Sequence, residues 1–119
     1  MSSSGWKHAS LSTVPVEQLN PLLERQFVHG EQAMLARLLL RKGCIVPEHS
    51  HLNEQISYIL EGEGEVLMEG QPPLKVKAGD GFIVPAGVKH DAHNTGTTTL
   101  KLVGVYVVEK GKPLATPTP

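Results

Sequence analysis

Four side chains carry the chemistry that this 119-residue sequence offers most clearly: His49, His51, Gln55 and His90. Successive side chains on an extended chain point to opposite faces. His49 and His51, two residues apart, therefore project from one face of a strand as a chelating pair. Gln55 lies four residues further on, an even step that returns it to the same face if no bulge intervenes. His90, on a later strand, is the natural third nitrogen. Imidazole nitrogens with an amide oxygen suit a borderline first-row divalent ion such as Mn, Fe, Ni, Co or Zn. Glu54 could serve in place of Gln55 only if a bulge shifted the register, because alternation turns it to the other face.

Tyr106 and Arg37 are the candidates for catalytic residues, each able to supply a substrate hydrogen bond or a general acid. Counted from Gln55, Ser57 and Ile59 share the metal face, whereas Tyr58 belongs to the outer layer or an interface. Phe82 and Met34 fit a pocket wall or the core. His8, His29 and His93 read as surface residues, and His93 stands an odd step from His90 and faces away from it. Cys44 reads as a packed small residue, with no base beside it in sequence. Glu61, Glu63, Glu65 and Glu69 read as a solvated hairpin face, with Lys75 and Lys77 opposite it across the turn.

The elements that must hold these residues are short strands. Ala33 to Arg41 is apolar enough for a helix or a strand, but Gly43, Pro47 and the His pair follow at once, and strand is the better reading. Gly62 ends the His-bearing stretch. A strand then runs to the Gly-Gln-Pro-Pro turn, and Leu74 to Lys77 alternates with period two. Gly79-Asp80-Gly81 turns into Phe82-Ile83-Val84-Pro85, and Ala86-Gly87 turns into the strand bearing His90. Leu100 to Glu109 is a last long strand. The two prolines between Val14 and Leu23 exclude a long helix and leave an extended arm of the kind that lies on a partner subunit, with Arg25 to His29 as a short strand. The C-terminal residues from Lys110, rich in proline, are not expected to continue a sheet. The expected organisation is a tail and arm over residues 1–30, one all-β barrel domain over 31–110 and a tail over 111–119.

Length and composition agree with one such domain. Hydrophobic residues make up 39% and charged residues 19%, and the net charge of −1 gives no electrostatic reason to expect nucleic acid or an anionic membrane as partner. A small neutral or acidic ligand fits better. The single cysteine excludes an internal disulfide. No apolar stretch is long enough for a signal peptide or a transmembrane helix, so the expected location is the cytoplasm.

The spacing of these residues resembles the cupin family in both of its motifs. Gly43, His49, His51 and Gly62 match the first, with Gln55 where the family usually has Glu; Gly79, Pro85, Gly87, His90 and Asn94 match the second in full. The resemblance implies a jelly-roll β barrel, one metal ion held by His49, His51, Gln55 and His90, and a homodimer. A neutral Gln leaves the full charge of the ion uncancelled, which makes a bound water or substrate hydroxyl more acidic than a Glu would. Val28 to Gly62 is further similar to the pectin-degradation cupins that open unsaturated uronate rings and also use Gln as a ligand. The acid and Arg that follow the second motif in that subfamily have no counterpart in Gly104 to Lys110. The first functional expectation is thus a metal-dependent lyase or isomerase in which the ion acts as a Lewis acid on a small carbohydrate- or keto-acid-like substrate. The alternatives are an Fe- or Mn-dependent dioxygenase and a non-catalytic module that binds a sugar or small metabolite.

Overall fold

The computed structural model describes residues 6–107 and the backbone of 116–117, and every regular element among them is a β-strand. In chain order these are β1 (Glu17–Asn20), β2 (Leu23–His29), β3 (Ala33–Leu40), β4 (Ile45–Ser50), β5 (Gln55–Glu61) and β6 (Glu63–Met68). There follow β7 (Leu74–Lys77), β8 (Gly81–Val84), β9 (His90–His93), β10 (Leu100–Val107) and β11 (Thr116–Pro117). They form two antiparallel sheets, one in the order β1-β2-β3-β10-β5-β8 and one in the order β11-β4-β9-β6-β7. Together these make an all-β jelly-roll barrel.

Period-two alternation fixes which residues the barrel encloses. Along β5 the buried positions are Gln55, Ser57 and Ile59, and along β10 they are Leu100, Leu102, Gly104 and Tyr106. The β10–β5 register sets Leu102 opposite Ile59, Gly104 opposite Ser57 and Tyr106 opposite Gln55. Successive rungs of one sheet thus pass from apolar to polar over about 13 Å. The apolar end belongs to a core of Leu23, Leu40, Cys44, Ile59, Val66, Val76, Leu100 and Leu102. The polar end opens into the candidate site. Tyr58, on the alternate face of β5, is exposed as expected.

Two glycines hold turns that position this frame. Gly62, between β5 and β6, has φ +84°, and a Cβ there would stand 2.6 Å from the Thr99 carbonyl oxygen. Any larger residue would push the 95–99 loop off the β5–β6 turn. Gly87, with φ +76°, donates its N–H to the His51 carbonyl at 2.8 Å, which ties the turn before β9 to the end of β4. Asn94, the last residue of the second motif, braces the barrel. It is buried, and its Nδ2 donates to the carbonyls of Leu40 and Thr98, both at 2.9 Å.

Both chain ends differ from the sequence reading. The expected arm folds back on its own chain, with β1 paired to β2 (Glu17 opposite Arg25) and β2 paired along its length to β3. The turn at Pro21 and Leu22 is short enough for a hairpin, and Leu23 is buried in the core, so the sheet gains an edge from this segment. Near the other end, Thr116 and Pro117 pair with Ser50 and His49 of β4. Their position at the outer edge of the sheet tolerates a residue without an N–H, which is why a proline-rich tail can still add a rung. The expected continuation of β10 through Glu109 lies outside the described residues.

Candidate metal centre

The three histidines converge as expected, by a route that simple alternation misses. Pro47 and Glu48 form a bulge in β4. Val46 pairs with Ala92 and His49 with His90, so one strand advances three residues while the other moves two. The extra residue resets the alternation and lets Val46 and His49 both face inward, although they are an odd step apart. It also sets His49 directly across from His90, with ring centroids 4.3 Å apart. His51 follows the last residue of β4 and lies 5.0 Å from His90 and 5.7 Å from His49, centroid to centroid. One ring nitrogen from each of the three lies within 4.8 Å of the others, so the triad could hold a metal ion.

Gln55 reaches the same place from the opposite sheet. The sequence reading sets it on the strand face of His49 and His51, but the chain bends at Leu52 and Asn53 and Gln55 opens β5. It is buried, whereas Glu54 is exposed. Its Nε2 donates to Ser57 Oγ at 2.6 Å, and its Oε1 stands 3.2 Å from His51 Nε2.

The backbone presets all three rings. Nδ1 of His49 lies 2.9 Å from the Pro47 carbonyl, Nδ1 of His51 lies 2.8 Å from that of Asn53, and Nδ1 of His90 lies 2.9 Å from that of Val88. A carbonyl oxygen only accepts, so each Nδ1 carries the hydrogen, and a ring in its neutral form offers the Nε2 lone pair. His90 Nε2 is buried with no hydrogen-bond partner among the described residues. His51 Nε2 and Gln55 Oε1 then present lone pairs to each other, an arrangement that a cation between them makes favourable. Burial lowers the pKa of His51 and lowers that of His90 to about 4, so both rings are neutral at pH 7. This donor set fits a borderline divalent ion.

Tyr106 sits beside the triad, its ring 5.5 Å from that of His51 in an edge-on arrangement. Burial pushes its hydroxyl up to about 12, with Arg25 acting in the opposite sense, so the group is a proton donor at neutral pH. Gly104 leaves room here: a Cβ would meet Ser57 Oγ at 3.3 Å and the Tyr106 hydroxyl at 3.4 Å. Arg37, the other expected catalytic residue, lies elsewhere. Ala36 and Leu38 line the cavity, so Arg37 between them turns to the outer face of the sheet, where Nη1 donates to Gln26 Oε1 at 3.0 Å. That glutamine in turn donates to the carbonyls of Leu11 and Val14, so Arg37 belongs to the clasp of the N-terminal segment. His8 and His29 are exposed; His93 is half-buried and contacts Asp91 at 3.3 Å.

Two spaces that share His49 and Tyr106 in their walls surround these groups. An inner void of about 50 Å³ is lined by His49, Gln55, His90, Tyr106 and apolar residues including Leu38 and Phe82. An outer chamber of about 440 Å³ is bounded by His49, His51 and Tyr106 on one side and by Leu19, Arg25 and Phe27 of the β1–β2 hairpin on another. Sequence reading missed Arg25. The signal was present in the period-two run Leu23, Arg25, Phe27, which places all three on one face.

A jelly-roll barrel with three inward histidines, from β4, the residue after it and β9, defines a class of small β barrels whose donors could hold a metal ion. The cupin domain model matches residues 36–108, and the chain belongs to the cupin family. It is similar to the dimethylsulfoniopropionate lyase DddQ of Ruegeria pomeroyi, 46% identical over 48 residues, which is 40% of this chain but only 24% of that protein's length. It is similar over more of its length to the pectin degradation protein KdgF of Dickeya dadantii, 28% identical over 102 residues, covering 84% of this chain and 80% of that one. Among solved structures, an RmlC-like cupin from Shewanella frigidimarina superposes with a TM-score of 0.76 at 27% identity, covering 87% of this chain and 91% of the other.

Proposed function

We propose that this cupin is a metal-dependent enzyme of lyase or isomerase type acting on a small carbohydrate- or keto-acid-like molecule, with His49, His51, Gln55 and His90 as ligands of a divalent transition ion. One observation carries the reading: lone pairs from two sheets converge on one point, and each ring is already fixed by a backbone carbonyl. The similarity to a lyase and to a pectin degradation protein supports the reaction class. When bound, such an ion polarises a substrate carbonyl or hydroxyl. The chain's own part is to orient and to move a proton. Ser57 holds the Gln55 amide, Tyr106 offers a protonated hydroxyl beside the triad, and Leu38 and Phe82 keep the inner void apolar.

Elemental analysis and turnover test this together. His51→Ala or His90→Ala should remove most of the bound metal and the activity towards an unsaturated uronate. A variant that keeps stoichiometric metal would sink the ligand assignment, and oxygen consumption by the wild type would move the reading to a dioxygenase. A homodimer is part of the same proposal. Ile56, Tyr58, Ile83 and Val105 form an exposed apolar patch on the outer face of β5, β8 and β10, the surface that a second copy would cover. Light scattering should show Ile56→Lys shifted towards monomer, and a monomeric wild type would exclude this part.

A further inference from the structure

Arg25 has a place in the chamber that no metal-binding role explains. It stands on β2 between Leu23 and Phe27, lines the outer chamber with both, and faces the wall formed by His49, His51 and Tyr106. Its guanidinium carbon lies 4.9 Å from the centre of the Phe27 ring, a cation–π contact that favours keeping the group on this wall. Nη2 reaches Glu17 Oε2 at 3.2 Å across the β1–β2 pair, where the two residues are directly opposite. Nε, on the same edge of the guanidinium, is buried with no hydrogen-bond partner among the described residues.

A guanidinium presents Nε–H and one terminal N–H side by side, a spacing that matches the two oxygens of a carboxylate. Glu17 satisfies only half of that edge. Both members of the pair are also partly exposed, with side-chain exposures of 36% and 47%, so the contact is weak and readily exchanged. An unsatisfied buried N–H beside it favours any ligand that can fill both positions. Among the described residues lining the chamber the other charged carboxylate or guanidinium side chain is Glu48, an acid, so Arg25 is the guanidinium that an anionic ligand would meet there.

We infer that Arg25 is the anion-recognising residue of this chamber: it takes a carboxylate of a small organic acid in two-point fashion, and Glu17 is the resident counter-ion that the ligand displaces. The substrate of the proposed enzyme then belongs to the small organic acids, oriented with its acidic end at the hairpin wall and its reacting end towards the triad. This deepens the proposed function and rests on its reading of the chamber as a substrate site; it does not depend on which metal is bound.

The experiment measures binding of succinate and of its neutral analogue succinamide to the full chain by calorimetry, with and without added Zn²⁺. Succinate should bind at least about tenfold more tightly than succinamide, in line with a charge-assisted two-point contact. Arg25→Gln should abolish that preference, Arg25→Lys should retain part of it, and Glu17→Gln should tighten succinate binding several-fold by freeing the fork. An Arg25→Gln protein with wild-type melting behaviour and an unchanged preference overturns the inference, as does weaker binding in Glu17→Gln. Should Arg25→Gln not fold, Arg25→Lys and Glu17→Gln decide the matter, since each keeps a polar group of similar size on the hairpin. Stoichiometric Zn²⁺ with no dependence on Arg25 refutes this inference alone, whereas an Arg25-dependent preference in a protein that binds no Zn²⁺ refutes the metal reading alone.

Discussion

The two sheets contribute unlike halves to the site. From the five-stranded sheet and the end of β4 come His49, His51 and His90, each pinned through Nδ1 by a carbonyl only two residues away in the chain. From the six-stranded sheet come Gln55, Tyr106 and Arg25, which depend on strand register and on neighbouring side chains for their places. The first half is a set of local devices and holds its donors in one geometry. The second half combines residues far apart in sequence, whose positions follow from how the strands of one sheet pair. On the proposed reading, three of the four metal ligands lie in the first half, and Gln55 joins them from the second, which also carries Arg25 and Tyr106.

If the histidine half is as preset as it looks, its cost should emerge on acidification. The folded-state pKa of His90 is depressed from 6.5 to about 4, chiefly by burial, so between those values the unfolded chain binds more protons than the folded one. Stability of the metal-free protein should be complete above pH 6.5 and fall by on the order of 3 kcal/mol as pH drops towards 4. Denaturant titrations across this window check it, and a flat profile would mean that the rings open to water.

A smaller effect probes the other half. Ser57→Ala removes the hydroxyl that holds the Gln55 amide in the orientation presenting Oε1 to His51. Metal affinity should fall about tenfold, the usual size of an effect on a group that orients a ligand. Arg37→Gln, on the reverse face of the same sheet, is the control and should leave that affinity unchanged while loosening the N-terminal clasp. Equal losses in the two variants would erase the distinction between ligand support and general sheet stability.

Much of this arrangement was legible in the sequence because it rests on short-range rules. Glycine turns, period-two alternation and the paired motif spacings placed the strands that hold His49, His90 and Tyr106, the exposure of Tyr58 and the packing of Cys44. Arg37 was misplaced because a strand position alone does not say which face of β3 looks inward. That was settled by Ala36 and Leu38 packing at the chamber while Gln26 took the guanidinium on the far side. The N-terminal hairpin was read as an arm because two prolines announce a break in regular structure but carry no information on where the chain goes next.

By itself the sequence determined the types of donor side chain, their spacing and the all-β pattern, since these follow from chemistry and from repeats of a few residues. Only the tertiary structure decided that Gln55 meets the histidines from the opposite sheet, that a bulge at Pro47 sets His49 across from His90, and that Arg25 lines the chamber. These are outcomes of register and of strands pairing across long stretches of chain. Their energies come from contacts between residues that no local pattern relates, so they exist only once the sheets have closed on each other.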